Sequence, residues 1–263
     1  MALMTEAPAK SRLDVDRVID ALFSSADRAF LSSAISREEG EFLRALASRK
    51  DVRTTIEVGC ANGISTLYIC SGIGGKEGAR HTAIDPFQSS SFGGRGTENV
   101  LRAGFGFFRL IEKPSEIALP ELLTAGERYD LAFIDGLHTA DQTMVDFYYL
   151  DRLLHVGGVL VFDDVQGHSV NKIVRYASTY PNYRMLGAVG RRGPYRRIIN
   201  LAKQTLAALL WPARKALGAA LVGEFFDVSV VQAEALWSID SHTMVALEKT
   251  GEYQRDTNWY RGI

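Results

Sequence analysis

Thr54-Thr55-Ile56-Glu57-Val58-Gly59-Cys60-Ala61-Asn62-Gly63-Ile64-Ser65-Thr66 is the stretch on which the fold turns. A β-branched run breaks into small residues and then resumes an apolar pattern, which reads as strand, tight loop and helix. Gly59, Ala61 and Gly63 carry little or no side chain, so a ligand can come close to the backbone there. The helix that follows presents unpaired N–H groups at its start.

Working outward, His81-Thr82-Ala83-Ile84-Asp85 reads as a second strand ending in an acid. A carboxylate at that place can accept both hydroxyls of a ribose; the other reading of Asp85 is a strand-end turn residue before Pro86. Two more apolar strands end in acids: Tyr129-Asp130-Leu131-Ala132-Phe133-Ile134-Asp135-Gly136-Leu137-His138, and Gly157-Gly158-Val159-Leu160-Val161-Phe162-Asp163-Asp164-Val165. The alternation of strands and helices predicts an α/β protein with a mostly parallel, doubly wound sheet. Ligands of such sheets sit beyond the carboxyl ends of the strands, so Asp85, Asp135, Asp163 and Asp164 are expected around one crevice.

A dinucleotide site wants G-x-G-x-x-G, whereas this loop is Glu57-x-Gly59-x-Ala61-x-Gly63. That spacing resembles motif I of the class I S-adenosylmethionine (SAM) methyltransferases, with Ala61 in place of the usual middle glycine. The segments FIDGLH and GGVLVFDD resemble the small-molecule O-methyltransferases, most closely the branch that methylates sugars and antibiotic-like natural products, including the macrolide-sugar and cephalosporin-type enzymes. The resemblance covers roughly residues 37 to 180, with a fainter match at 243–250. It implies a Rossmann-like class I methyltransferase fold with an antiparallel C-terminal strand, and SAM as cofactor. It also implies cofactor contacts at Glu57, Gly59, Ala61, Gly63, Ser65, Asp85, Ser115 and Asp135. Asp135, Asp163 and Asp164 would be ligands of a divalent cation; catechol-type relatives carry Asn at the last of these positions, so Asp164 adds a charge.

The metal reading also has a basis in electrostatics. Carboxylates held within a few ångströms raise one another's pKa unless a cation neutralises them, and all-oxygen ligation points to Mg²⁺, or to Mn²⁺ or Ca²⁺, rather than zinc. The other reading is that Asp163 and Asp164 cap the next helix and Asp135 alone touches the cofactor. Methyl transfer is a displacement in which a substrate oxygen must be aligned and made nucleophilic, tasks served by positioning and by a bound cation. His138 is the candidate proton acceptor, because an unperturbed imidazole titrates near neutral pH. A loop histidine bonded to a backbone carbonyl is the competing reading. His168 reads as a solvated loop histidine.

Composition adds outer bounds. The 263 residues are 46% hydrophobic with a formal charge of −1, enough to bury a full core and without bulk attraction to nucleic acid. Cys60 and Cys70 are too few for a disulfide framework and read as small buried thiols. No run is apolar and long enough for a transmembrane span or a signal peptide, and the expected location is cytoplasmic.

Residues 1–50 read as a loose tail followed by helices at Val15 to Ile35 and from Ser36 to Leu46, a cap or dimer element; Ser36 and Glu39 have capping-box spacing. The methyltransferase domain is expected over 51–263. Within it, Ser89 to Gly96 reads as a loop at the site mouth, Phe107 to Ile111 as a strand, and Lys113-Pro114-Ser115-Glu116 as the start of a helix ending near Ala125. Ser115 falls where relatives contact the adenine, although helix capping explains it as well. Thr139 to Leu154 has helical spacing, with Gly157-Gly158 as its end. A lid-like basic amphipathic insertion is expected at about 185–226. Residues 191 to 215 hold seven Lys/Arg and no acid. Such a face can cover an anionic substrate or lie on an anionic membrane, but packing against its own domain or a twin subunit is the default. Val228 to Ala233 and His242 to Glu248 read as closing strands. Trp237, Trp259 and Tyr260 are a candidate wall for a ring substrate, against ordinary packing.

The function expected from these features is Mg²⁺-assisted O-methylation of a hydroxyl on a small molecule, a sugar or natural-product intermediate. The alternatives are a metal-independent N- or O-methyltransferase, a non-catalytic SAM-fold binding protein and, most distantly, a nicotinamide oxidoreductase.

Overall fold

In a computed structural model, which describes residues 12–24, 33–190, 239 and 242–253, the opening stretch forms β1 (Thr54–Val58), a loop and α3 (Ile64–Ile73). Ahead of it lie α1 (Arg12–Phe23) and α2 (Arg37–Ala47). After it come β2 (Arg80–Ile84), α4 (Arg95–Arg102), β3 (Phe108–Ile111), α5 (Ser115–Thr124), β4 (Tyr129–Ile134), α6 (Ala140–Leu153), β5 (Leu154–Phe162), α7 (His168–Ser178), β6 (Tyr183–Val189) and β7 (Met244–Lys249).

The seven strands form one sheet in the order β3-β2-β1-β4-β5-β7-β6. β1 to β5 pair in parallel, and β7 inserts antiparallel between β5 and β6. Strand order reverses between β1 and β4, the point at which an open α/β sheet leaves a crevice. Register sets what stands at that crevice: Val58 pairs with both Ile84 and Ile134, and Ile134 pairs with Phe162. The next residue of each strand therefore lies just past the sheet edge, which puts Asp85, Gly59, Asp135 and Asp163 in one row. Their backbone N–H groups extend the ladder, to Ile111, Ile84, Val58 and Ile134 respectively, at 2.9–3.2 Å.

Period-two alternation divides the core between the two faces of the sheet. Ile56, Val58, Ala132, Ile134, Leu160 and Phe162 pack with α5, α6 and α7, while Leu131, Phe133, Val159 and Val161 pack with α1, α2 and α3. Phe147 of α6 is wholly buried against the rings of Phe162, Tyr180 and Tyr183. Burying such a ring contributes roughly 3 kcal/mol. On the other face, Lys76 donates to the carbonyls of Ala47, Arg49 and Val52 at 2.7, 2.6 and 2.7 Å, gathering the end of α2 and the turn into β1.

Several boundaries differ from the sequence-based expectation. α6 stops at Leu153 and the chain passes directly into β5, so Gly157-Gly158 lies inside a strand. It does not end the helix; it serves a shift in the β4/β5 register, with Gly157 at φ +89°. Residues 95–102 form α4, a helix hidden behind the Ser/Gly-rich run and started by Gly94. Residues 183–189 are β6, so the first part of the basic insertion expected from 185 is strand. α1 ends at Phe23, and the rest of the helix expected through Ile35 falls partly outside the described residues. The basic stretch 191–226, the strand expected at 228–233, and Trp237, Trp259 and Tyr260 also lie outside them. The capping box at Ser36 and Glu39, the helix at 115–124 and the antiparallel strand at 244–249 are present. Among the described residues no helix is long and apolar enough to cross a membrane.

Candidate active site

A cavity of about 890 Å³ opens beyond the carboxyl ends of β1, β2, β4 and β5, a volume in the range of small-molecule sites. Its floor is the loop after β1. Gly59 has φ +92°, and a Cβ there would lie 2.0 Å from the Asp135 carbonyl oxygen, so the loop crosses directly against β4. Ala61 holds a left-handed φ of +44°. The conformation costs an L-residue about 1 kcal/mol, which is the physical reason glycine is usual there.

Asp85, buried and lining the cavity, ties this floor to the loop after β2. Its Oδ2 accepts from Ala61 N, Cys60 N and the Gln88 amide at 2.8, 3.2 and 3.0 Å; Oδ1 accepts from Phe87 N at 2.8 Å. With a single bond, Oδ1 keeps acceptor capacity for a ligand. Glu57 points to the opposite face of β1 from Val58 and lies wholly buried beneath the start of α3. It accepts from Ser65 Oγ at 2.9 Å, from Thr66 Oγ1, and from His81 Nε2 at 3.2 Å. Glu57 is thus outside the cavity lining, and Ser65 stands between it and the cavity.

The far end of the cavity is acidic. Glu39, Asp135, Asp163 and Asp164 all line it. Burial, and then the charges of Asp163, Asp164, Glu57 and Glu39, push the Asp135 carboxyl well above the ordinary range. Asp163 is raised as well, by burial first and by Glu39 next. Asp164 takes a left-handed φ of +49°, which turns its side chain away from the strand direction; its Oδ1 accepts from the Gln166 amide and its Oδ2 lies 3.3 Å from His138 Nε2. Asp135, His138 and Asp164 each offer a ligand atom, all within 4.8 Å of one another. Of the expected trio Asp135, Asp163 and Asp164, the first and last converge with His138, and Asp163 is the neighbouring acid whose charge bears most on Asp135. The mutual repulsion among these groups is the electrostatic signature that a bound cation relieves.

Glu39 escaped the sequence reading, since its capping box accounts for it locally. Its Oε2 accepts from Ser36 N at 2.7 Å, and its Oε1 accepts from Thr243 Oγ1, a residue 204 positions away, so no local signal marks it as a cavity acid. Gly63 and Ser115 do stand where they were expected, at the start of α3 and at the cavity wall. Ser115 is not a cap: Pro114 holds that position, and the Ser115 hydroxyl goes to Asp146 Oδ1 at 2.6 Å. His168 opens α7 and is outside the cavity lining.

A family model described as a methyltransferase domain matches residues 56–165, the span from β1 to just past β5 that carries every strand-end acid of the cavity. Over that span the chain is similar to a methyltransferase domain. Over 152 residues it is 28% identical to a catechol O-methyltransferase of Mycobacterium tuberculosis, a match covering 57% of this chain and 66% of the relative's length. The chain therefore spans just under two thirds of that curated relative. In fold, the protein is similar to an O-methyltransferase from Bacillus cereus solved with S-adenosylhomocysteine (TM-score 0.55, 18% identity, 70% of this chain and 88% of that one). It is also similar to the O-methyltransferase TomG from Streptomyces achromogenes, involved in tomaymycin synthesis and solved with SAM (TM-score 0.58, 15% identity, 93% and 92%).

Proposed function

We propose that this protein is a methyltransferase that transfers a methyl group from SAM to a hydroxyl of a small molecule, a sugar or natural-product intermediate, with a divalent cation assisting. The observation that carries the reading is the convergence of Asp135, His138 and Asp164 at one end of a cavity whose other walls are the Gly59–Gly63 loop, Asp85 and Ser115. SAM supplies an electrophilic methyl on a sulfonium. Gly59, Ala61 and Gly63 bring the backbone close to its amino-acid part, Ser65 faces the same end, Asp85 Oδ1 accepts from the ribose, and Ser115 meets the adenine. Glu57 acts from below by holding Ser65 and Thr66.

A hard cation suits the two carboxylates Asp135 and Asp164, with Asp163 adding negative charge nearby, and bound there it lowers the pKa of an acceptor hydroxyl. His138 takes the hydroxyl proton on Nδ1, while Asp164, whose Oδ2 lies 3.3 Å from Nε2, orients the imidazole and stabilises its protonated form. The acceptor class rests on the resemblance of FIDGLH and GGVLVFDD to enzymes of sugars and antibiotic-like products, and on the name of the catechol relative, whose acceptor is also a hydroxylated small molecule. Of residues 1–50, which we read as a cap or dimer element, Ile35, Ser36 and Glu39 line the cavity, and we read the basic segment at about 185–226 as a lid or a contact with a second copy.

One observation favours a second reading. The His138–Asp164 pair already gives Asp164 a partner, as in a metal-independent enzyme that uses the pair alone. Calorimetry of SAM with EDTA and then with excess Mg²⁺ separates the two. A second heat that depends on Asp135 supports metal assistance, SAM binding indifferent to Mg²⁺ supports the second reading, and absence of SAM binding overturns both.

A further inference from the structure

Asp146 of α6 is wholly buried, and nothing in the proposed chemistry uses it. Its Oδ1 accepts from Ser115 Oγ at 2.6 Å and, at the limit of a hydrogen bond, from Gln142 Nε2 at 3.5 Å. Its Oδ2 has no partner and lies beside Gly136, where an added Cβ would come within 3.7 Å of it. Ser115, Glu116, Gly136 and Gln142 all line the cavity, so this carboxylate sits directly behind one of its corners.

A hydroxyl has one proton to give, and Asp146, which at neutral pH can only accept, takes it from Ser115. The Ser115 oxygen in turn accepts from Gln142 Nε2 at 2.8 Å, and that amide nitrogen also reaches Glu116 Oε2 at 3.2 Å. Carboxylates on both sides fix the Gln142 amide with its nitrogen inward, because its carbonyl oxygen turned that way would face the oxygens of Asp146 and Glu116. Both amide protons are then committed. What the side chains of this corner present to a ligand is a Ser115 lone pair, the Gln142 carbonyl oxygen and the Glu116 carboxylate: acceptors, and no side-chain donor. Burial pushes the Asp146 carboxyl up to about 6, so it is ionised at pH 8.

We propose that Asp146 is a positioning residue that fixes the side chains of this corner as acceptors, so that they admit the amino edge of a purine and disfavour the corresponding oxo edge. The inference rests on the SAM reading above, which places the adenine at Ser115.

The test compares S-adenosyl-L-homocysteine with its deaminated counterpart, S-inosyl-L-homocysteine, by calorimetry at pH 8 against wild type, Asp146→Ala, Asp146→Asn and Ser115→Ala, with circular dichroism to check folding. Wild type should favour the adenosyl compound by at least about tenfold, since buried acceptors facing an oxo group are left unpaired. Asp146→Ala frees the Ser115 proton to serve an oxo group, and the ratio should fall toward one. Asp146→Asn keeps an acceptor for that proton and should restore the preference, which a merely structural role would not produce. An unchanged ratio in folded Asp146→Ala, or an Asp146→Asn protein as indiscriminate as Asp146→Ala, overturns the proposal. Should Asp146→Ala not fold, an unchanged ratio in Ser115→Ala does so. Wild type that binds both compounds equally defeats this inference and leaves the SAM reading standing; wild type that binds neither defeats the SAM reading, and this inference with it.

Discussion

Gly59 occupies a place where a methyl group has no room, 2.0 Å from the Asp135 carbonyl, and where an L-residue is strained by a φ of +92°. Gly59→Ala should therefore displace the loop from β4, lowering stability by at least about 2 kcal/mol in urea unfolding and weakening SAM binding with it. Wild-type stability in that variant would mean that the loop has a second, equally good path. His138 makes a different demand, because its imidazole is nearly half exposed and carries no part of the core. His138→Ala should leave SAM affinity intact and reduce turnover on the order of 100-fold, the usual loss of a general base; undiminished turnover would remove it from that role. At this scale the sequence was legible wherever chemistry and chain position coincide. Asp85, Asp135 and Asp163 each follow a strand whose apolar pattern is local, so their common edge could be read before the sheet was seen. The partner of Asp164 and the cavity placement of Glu39 could not, since one depends on a left-handed turn at a non-glycine residue and the other on a contact with Thr243.

Elements were legible in proportion to how far their own sequence determines them. β4 and the second half of β5 are buried, near-continuous apolar runs, β1 and β2 are short buried strands rich in β-branched residues, and α2 announces itself by a capping box. β6 is an edge strand whose middle residues are exposed, so it lacks both signals. α4 begins at a glycine rather than a capping side chain. The join between α2 and β1 shows what local reading misses in energetic terms. Three carbonyls there depend on Lys76, a residue from the turn beyond α3, whose ammonium is pulled below its ordinary pKa chiefly by burial. Lys76→Met keeps the aliphatic stem and removes the donors, leaving three acceptors short of a partner. It should lower stability by about 2–3 kcal/mol in denaturant while sparing SAM affinity, because the junction lies away from the cavity. Equal stability of variant and wild type would show that water replaces the ammonium without cost.

Across the whole molecule, the sheet and α2 together gather four carboxylates at one end of the cavity, and that arrangement couples folding to pH and, on the proposed function, to a divalent cation. Asp135 and Asp163 have carboxyls raised in the folded protein by burial and by neighbouring acids. Below the ordinary value of 3.8 both groups are protonated whether folded or unfolded, and they cost the native state nothing. As pH rises from there through the raised folded values, the unfolded chain gives up its protons first and native stability is lost. The proposed divalent cation would reverse the sign by binding the ionised cluster of the folded form alone; at a hundred times its Kd it would return about 2.7 kcal/mol. The gap in melting temperature between excess Mg²⁺ and EDTA should accordingly widen from pH 5.5 to pH 8 and close in Asp135→Asn, measured by scanning calorimetry at the two pH values. A gap that survives in Asp135→Asn would place the cation elsewhere. No gap at either pH would leave the His138–Asp164 pair as the chemistry of this site, with Asp135 and Asp163 carrying protons where a metal was proposed.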